Sequence, residues 1–212
     1  MVAPKGLLVA LAIALPCAAA DGDPVAQPQV SKGDTWSYRR IDEWEKKQLD
    51  ALRFTVSFVD AKAIHVTLKR ANVEEETDAI YTADWNATVD SIGGIMTPHM
   101  GLLRFPLRVG QSYKTTWVSH RPQTGLRARH EHTVSVLGWE EMTVPGGKFR
   151  VLKIQSKGTY QRQDVVGGGS ASYTFWYAPE VKRWVRLRYE DTDFYGRPYS
   201  RFYEELTEFK LQ

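Results

Sequence analysis

The 212 residues can form one domain or two small ones, and 42% hydrophobic with 25% charged residues excludes global disorder. A formal charge of +3 is too close to balance for a dedicated nucleic-acid binder, which concentrates far more positive charge.

The N-terminus reads as an export signal. Residues 1–5 (MVAPK) give a short basic start, GLLVALAIALP an apolar stretch, and CAAA a small-residue end. That order places cleavage after Ala20. Cys17 raises the alternative of lipid anchoring, but such signals want a small residue immediately before the cysteine, where Pro16 stands. The expectation is therefore a periplasmic chain beginning at Asp21 without lipid. Cleavage removes Lys5 and Cys17, leaving no thiol for disulfides, nucleophilic catalysis or thiolate metal sites. No later segment approaches the ~20 apolar residues of a membrane-crossing helix.

Residues 21–32, with two prolines, read as a flexible lead-in. From residue 33 onward the dominant period is two. Leu52–Phe58 and Ile64–Leu68 alternate apolar and polar residues around a short polar break, predicting a hairpin with one buried face. Residues 42–52 have helix-forming composition but no clean apolar stripe, and are read as a loop or extended hairpin arm. Further strands are expected at Tyr113–Val118, Leu126–Leu137, Phe149–Ile154, Ser172–Tyr177, Trp184–Tyr189 and Tyr199–Leu206, with Gly167–Ser170 as a loop tip. Residues 33–212 thus form a single all-β domain, one rolled antiparallel sheet or open barrel-like β-roll. Gly33–Tyr38 and Gly110–Thr115 echo each other, leaving open two similar halves meeting near residues 107–110, although a strand after a glycine turn is ordinary.

The run GWEEMTVPGGKFRVLKI (residues 138–154) could be a phosphate loop or a turn. A phosphate loop needs Ser or Thr after its lysine and a helix behind it, so that backbone N–H groups meet phosphate. Here Phe149 follows Lys148 and a strand pattern follows that. Pro145 and Gly146 suit the two central positions of a type II turn, with Gly146 at positive φ. The same stretch, followed by TFWYAPEVKRWV (residues 174–185) and preceded by LRFPLRVG (residues 103–110), resembles a family of exported bacterial proteins of unknown function. In that family a V-P-A-G-x-F hairpin precedes a W-Y-A-P strand. The resemblance implies a rolled antiparallel sheet or open barrel and no reaction.

Chemistry is sparse. His130 and His132 lie two apart on a strand, so both rings share a face while Glu131 points away. A metal would need a third ligand, with His65, His99 or His120 the candidates. The alternative is a structural role, because Ala128, Val134 and Val136 share that face. No G-x-S-x-G elbow occurs; the adjacent acids Glu140/Glu141 and Glu204/Glu205 point to opposite faces of a strand, and Asp191/Asp193, near a turn, are read as solvated. No catalytic residues and no cofactor are assigned.

Eleven of the twenty-five Phe, Trp and Tyr residues fall between Tyr173 and Tyr203, interleaved with Arg183, Arg186, Arg188, Arg197 and Arg201. They fill a core or line a groove in which arginine reads an anionic group. Simple alternation puts Val185, Leu187 and Tyr189 on one face and Trp184, Arg186 and Arg188 on the other. Trp184 and Arg186 should then face solvent or ligand, and Trp184→Ala should cost less than about 2 kcal/mol, below the core range. The resulting expectation is a noncatalytic envelope protein that binds a lipid-like or amphipathic small molecule through Trp176, Tyr177, Trp184 and Arg186. The alternatives are a module that docks an envelope protein through an exposed strand edge, and a metal-dependent enzyme centred on His130 and His132.

Overall fold

The computed structural model describes residues 22–212, so the expected signal sequence, its cleavage site and Cys17 lie outside the described residues. Twelve strands follow one another: β1 (Thr35–Asp42), β2 (Gln48–Val59), β3 (Ala63–Arg70), β4 (Thr77–Thr82), β5 (Ala87–Val89), β6 (Ile95–Thr97), β7 (Ser112–Arg121), β8 (Leu126–Val144), β9 (Gly147–Arg162), β10 (Gly168–Ala178), β11 (Arg183–Asp193) and β12 (Pro198–Lys210). Each pairs antiparallel with the next, and β1 pairs with β12, so the expected rolled sheet closes into a barrel. Closure satisfies the backbone donors and acceptors that an open sheet leaves at its edges. The partner-docking alternative built on a free strand edge therefore has no such edge among the described residues.

Period-two patterning builds the wall. Leu52, Phe54 and Val56 on β2 and Ile64, Val66 and Leu68 on β3 are all buried, with more accessible residues between them. Strands β4, β5 and β6 escaped the sequence reading because β5 and β6 have only three residues each, too few to show a period. Barrel width also explains the aromatic richness. About eight strands leave an interior that ordinary side chains fill, whereas more strands leave space for larger ones or for a cavity. Trp36, Tyr38, Phe54, Trp85, Trp117, Phe175 and Trp184 occupy the core.

An up-and-down barrel alternates its connections between two ends. One end carries both described chain termini and is plugged. Val25, in the expected flexible lead-in, is buried and pairs with Leu107 in both directions, Val25 N to Leu107 O at 2.8 Å and Leu107 N to Val25 O at 2.9 Å. That bridge ties the lead-in to the long 98–111 connection. Asn86 holds the same connection by donating to Leu103 O (2.7 Å) and accepting from Leu103 N (2.9 Å). The Trp36 and Trp85 indoles donate to Val181 O and Lys182 O, clamping the 3-10 turn Pro179–Val181 beneath.

The Pro145–Gly146 turn also lies at this end and joins β8 to β9 as a two-residue connection. Gly147, not Gly146, takes the positive φ, at 141°. The expected strain at Gly146 is replaced by a close approach. Its N–H donates to Leu206 O at 2.9 Å, and a Cβ there would lie 3.1 Å from the same oxygen. Gly146→Val is expected to cost about 1–3 kcal/mol through overpacking. Lys148→Ala should stay within about 0.5 kcal/mol, because its pair with Glu141 is exposed. Urea unfolding midpoints would check both. The Gly167–Ser170 cluster is likewise not a loop tip, since residues 168–170 belong to β10. A Cβ on Gly169 would fall 1.9 Å from Thr192 O, so glycine is there for close packing between strands.

Candidate binding cavity

The four residues expected to form one groove divide between the two faces of the wall. Trp176 and Arg186 belong to a row of cross-strand partners that runs Lys153, Trp176, Arg186, Glu205, Arg39, with Trp176 itself buried beneath its neighbours. The Trp176 indole donates to Glu140 Oε1 at 2.6 Å and lies under Lys153, while Arg186 pairs with Glu205 and stacks on Tyr203. Tyr177 and Trp184 are buried in the interior, with Tyr177 against Phe105 and Trp184 against Phe175 and Trp85. The alternation failed at a bulge. Tyr177 opposes Trp184 and Trp176 opposes Arg186, so Val185 has no partner and the phase shifts by one. Trp184 and Leu187 therefore face the same cavity.

The arginines separate in the same way. Arg186, Arg188, Arg197 and Arg201 close ion pairs with Glu205, Glu43, Asp193 and Glu190. Arg183 is wholly buried, and neither its Nε nor its two terminal nitrogens close a hydrogen bond. Rings surround it: Phe54 lies 4.1 Å from the guanidinium carbon, Trp184 4.3 Å and Trp85 4.8 Å, with Trp36, Tyr38 and Tyr81 beyond. Burial pushes the Tyr81 hydroxyl pKa upward, and the Arg183 charge pulls it partly back. Nothing in the sequence separates Arg183 from its neighbours. Its burial follows from the left-handed Lys182 (φ 60°) and the bulge, which turn the start of β11 into the barrel.

The ring cage and the desolvation cost oppose each other. Stripping water from a guanidinium costs several kcal/mol, and each well-placed dry ring face returns about 0.5–2 kcal/mol. Arg183→Met, of similar volume and without charge, is therefore expected to unfold within about 2 kcal/mol of the native chain. Denaturant unfolding measures it.

Beside this cage lies a cavity of about 240 Å³, lined by Tyr81, Trp85, Met96, Tyr173, Phe175 and Trp184 among others. Two polar residues in its wall are already engaged, Asn86 with Leu103 and Asp90 with the backbone N–H groups of Ile92 and Gly94. At the end away from the termini, a second hollow of about 490 Å³ forms a mouth lined by His130, Tyr160, Tyr189 and Asp191.

His130 and His132 do share a face, as expected, but their surroundings are those of structural side chains. Trp117 stacks on His130 at 4.6 Å and tilts against His132 at 4.8 Å. His130 Nε2 bonds Ser119 Oγ at 2.9 Å and His132 Nδ1 bonds Ser156 Oγ at 2.8 Å. Burial pulls both pKa values down to about 4. No group of three His, Cys, Asp or Glu residues placed to hold a metal occurs among the described residues. His65, His99 and His120 therefore do not complete the set that the metal-enzyme alternative required. Gly158 completes the packing, because a Cβ there would meet His132 Cδ2 at 2.4 Å.

No family profile and no curated protein matches the chain in sequence. Solved structures do match in shape. A candidate lipoprotein of Parabacteroides distasonis superposes with a TM-score of 0.55 at 12% identity, over 89% of this chain and 100% of its own. A candidate exported protein of Bacteroides fragilis, described as having a YmcC-like fold, gives 0.54 at 15% identity, with coverage of 89% and 100%. This chain has a YmcC-like fold. The hypothetical lipoprotein YmcC of Escherichia coli itself gives 0.50 at 11% identity, over 82% of this chain and 83% of its own. At such identities the YmcC-like likeness establishes architecture alone.

Proposed function

We propose that this is an exported, noncatalytic envelope protein whose barrel interior takes up an apolar or amphipathic small molecule. The observation that carries the reading is the 240 Å³ cavity walled by aromatic rings beside the packed core. At that size, below the ~300–1,000 Å³ of drug-sized sites, it suits a single ring or the end of an acyl tail. Rings in the wall supply apolar area and Asn86 and Asp90 are engaged, while the buried Trp184 indole N–H at the wall has no hydrogen-bond partner among the described residues. Export is supported by the basic, apolar and small-residue order of residues 1–20, and by structural neighbours described as lipoproteins or an exported protein. The motif resemblance to an exported family points the same way.

Trp85 and Trp184 at the cavity wall provide the test. Titration of the protein with a long-chain fatty acid should give a saturable change in tryptophan fluorescence. Ala87→Leu, which adds bulk to the wall, should remove the change without unfolding the chain. A native chain with no saturable response, and no copurifying small molecule by native mass spectrometry, would overturn the reading.

A further inference from the structure

The hairpin tips β7–β8, β9–β10 and β11–β12 stand side by side at the open end, where an up-and-down barrel brings every second connection. They present large apolar and aromatic side chains to water: Leu126, Val165, Val166, Phe194, Tyr195 and Tyr199, with Val166 fully exposed and Phe194 77% exposed. These residues are not a flat patch. The tips project separately, and a groove of about 710 Å³ runs between Val166 on one side and Phe194 and Tyr195 on the other. Groove and mouth share Tyr160, Val166, Gly167, Gly168 and Asp193, so the two hollows adjoin at the β9–β10 and β11–β12 tips.

Charge around the tips is equally uneven. Asp164 pairs with Arg162, Asp193 with Arg197 and Glu131 with Arg129. Asp191, inside the mouth, accepts from the Tyr189 hydroxyl. Arg121 and Arg127 beside Leu126 are exposed and form no ion pair among the described residues. The β3–β4 connection on the same rim carries Glu74, Glu75 and Glu76 in one exposed loop, and Glu75 lines a hollow together with Gln123 of the β7–β8 tip.

We infer that the three-hairpin sector docks on the surface of an anionic phospholipid bilayer, with the barrel mouth against the lipid. A fluid interface accepts projecting rings without a matching concave partner, and Tyr and Phe at loop tips place their apolar bodies at headgroup depth. Each uncompensated arginine near an anionic leaflet adds to the attraction. The triple-glutamate loop is repelled by the same surface and tilts the barrel toward the β9–β10 and β11–β12 tips. In that pose, the mouth lined by His130, Tyr160 and Tyr189 opens onto the lipid rather than onto water.

The test is flotation of the exported chain, carrying Cys17→Ser so that no acyl group contributes, with phosphatidylethanolamine–phosphatidylglycerol vesicles. The native rim should float with these vesicles, and the combined Val166→Ser, Phe194→Ser and Tyr195→Ser variant should partition about tenfold less. Arg121→Gln with Arg127→Gln should lose the preference over phosphatidylcholine vesicles and retain the remaining binding. All five positions are exposed, and circular dichroism would confirm unchanged folding. A native chain that stays in solution with both vesicle types, or a triple variant that floats equally well, would overturn the inference. Fatty-acid uptake measured without vesicles is independent of the rim, so it separates this inference from the cavity reading.

Discussion

Lowering the pH from neutral to about 4 is expected to destabilise the barrel, with His130 and His132 supplying much of the loss. Burial depresses both imidazoles from 6.5 to about 4, and His130 adds to the depression at His132. Below pH 6.5 the unfolded chain binds protons that the folded chain refuses, so unfolding gains free energy as the pH falls. The stability is fully present above pH 6.5 and is lost progressively until about pH 4. The slope approaches about 1.4 kcal/mol per pH unit for each histidine. Their neighbours Trp117, Ser119, Ser156, Tyr160 and Tyr173 carry no charge that would hold an imidazolium in place. Asp84 and Asp191, whose pKa values burial raises, act in the opposite sense and soften the slope. Urea unfolding across this range should give a steep profile for the native chain and a flatter one for His130→Gln with His132→Gln. Parallel profiles would show that the imidazoles are not protonated on unfolding.

Trp184→Ala is expected to cost about 3–5 kcal/mol, the range for removing a large aromatic side chain from a core. The indole is 6% exposed and meets Phe175 at 5.4 Å, Trp85 at 6.3 Å and the Arg183 guanidinium at 4.3 Å. Its removal takes away one wall of the Arg183 cage and enlarges the neighbouring cavity at the same time. The outward position read from simple alternation gave less than about 2 kcal/mol, so the measurement separates the bulged register from the regular one. A loss below about 2 kcal/mol in denaturant unfolding would favour the regular register and the outward position of Trp184.

Where strands are long and half-buried, the sequence reveals them. Leu52–Phe58 and Ile64–Leu68 announce β2 and β3 because one face meets the core and the other meets water, which writes a period of two into the chain. Pro145–Gly146 was legible as a turn because proline and glycine have narrow backbone uses, yet its contact with Leu206 was not, since β12 is distant in sequence. The candidate site was harder to read. A single unpaired residue, Val185, reverses the facing of Trp184 relative to Arg186, and local pattern carries no mark of it. Arg183 is hidden for a related reason. In a run of arginines, composition cannot tell the four that meet acids from the one that rings enclose.

The ladder is not equally strong around the circumference. Strand β8 has 19 residues and β9 has 16, paired along most of their length, whereas β5 and β6 meet through the single couple Val89 and Ile95. Amide exchange should therefore run fastest across β5 and β6, where opening breaks few bonds and leaves the β7–β12 wall intact. Ala87, Asp90 and Met96 of this seam also wall the aromatic cavity. The thinnest stretch of the ladder therefore lies beside the aromatic cavity, and local opening there would expose the cavity wall before either end of the barrel loosens.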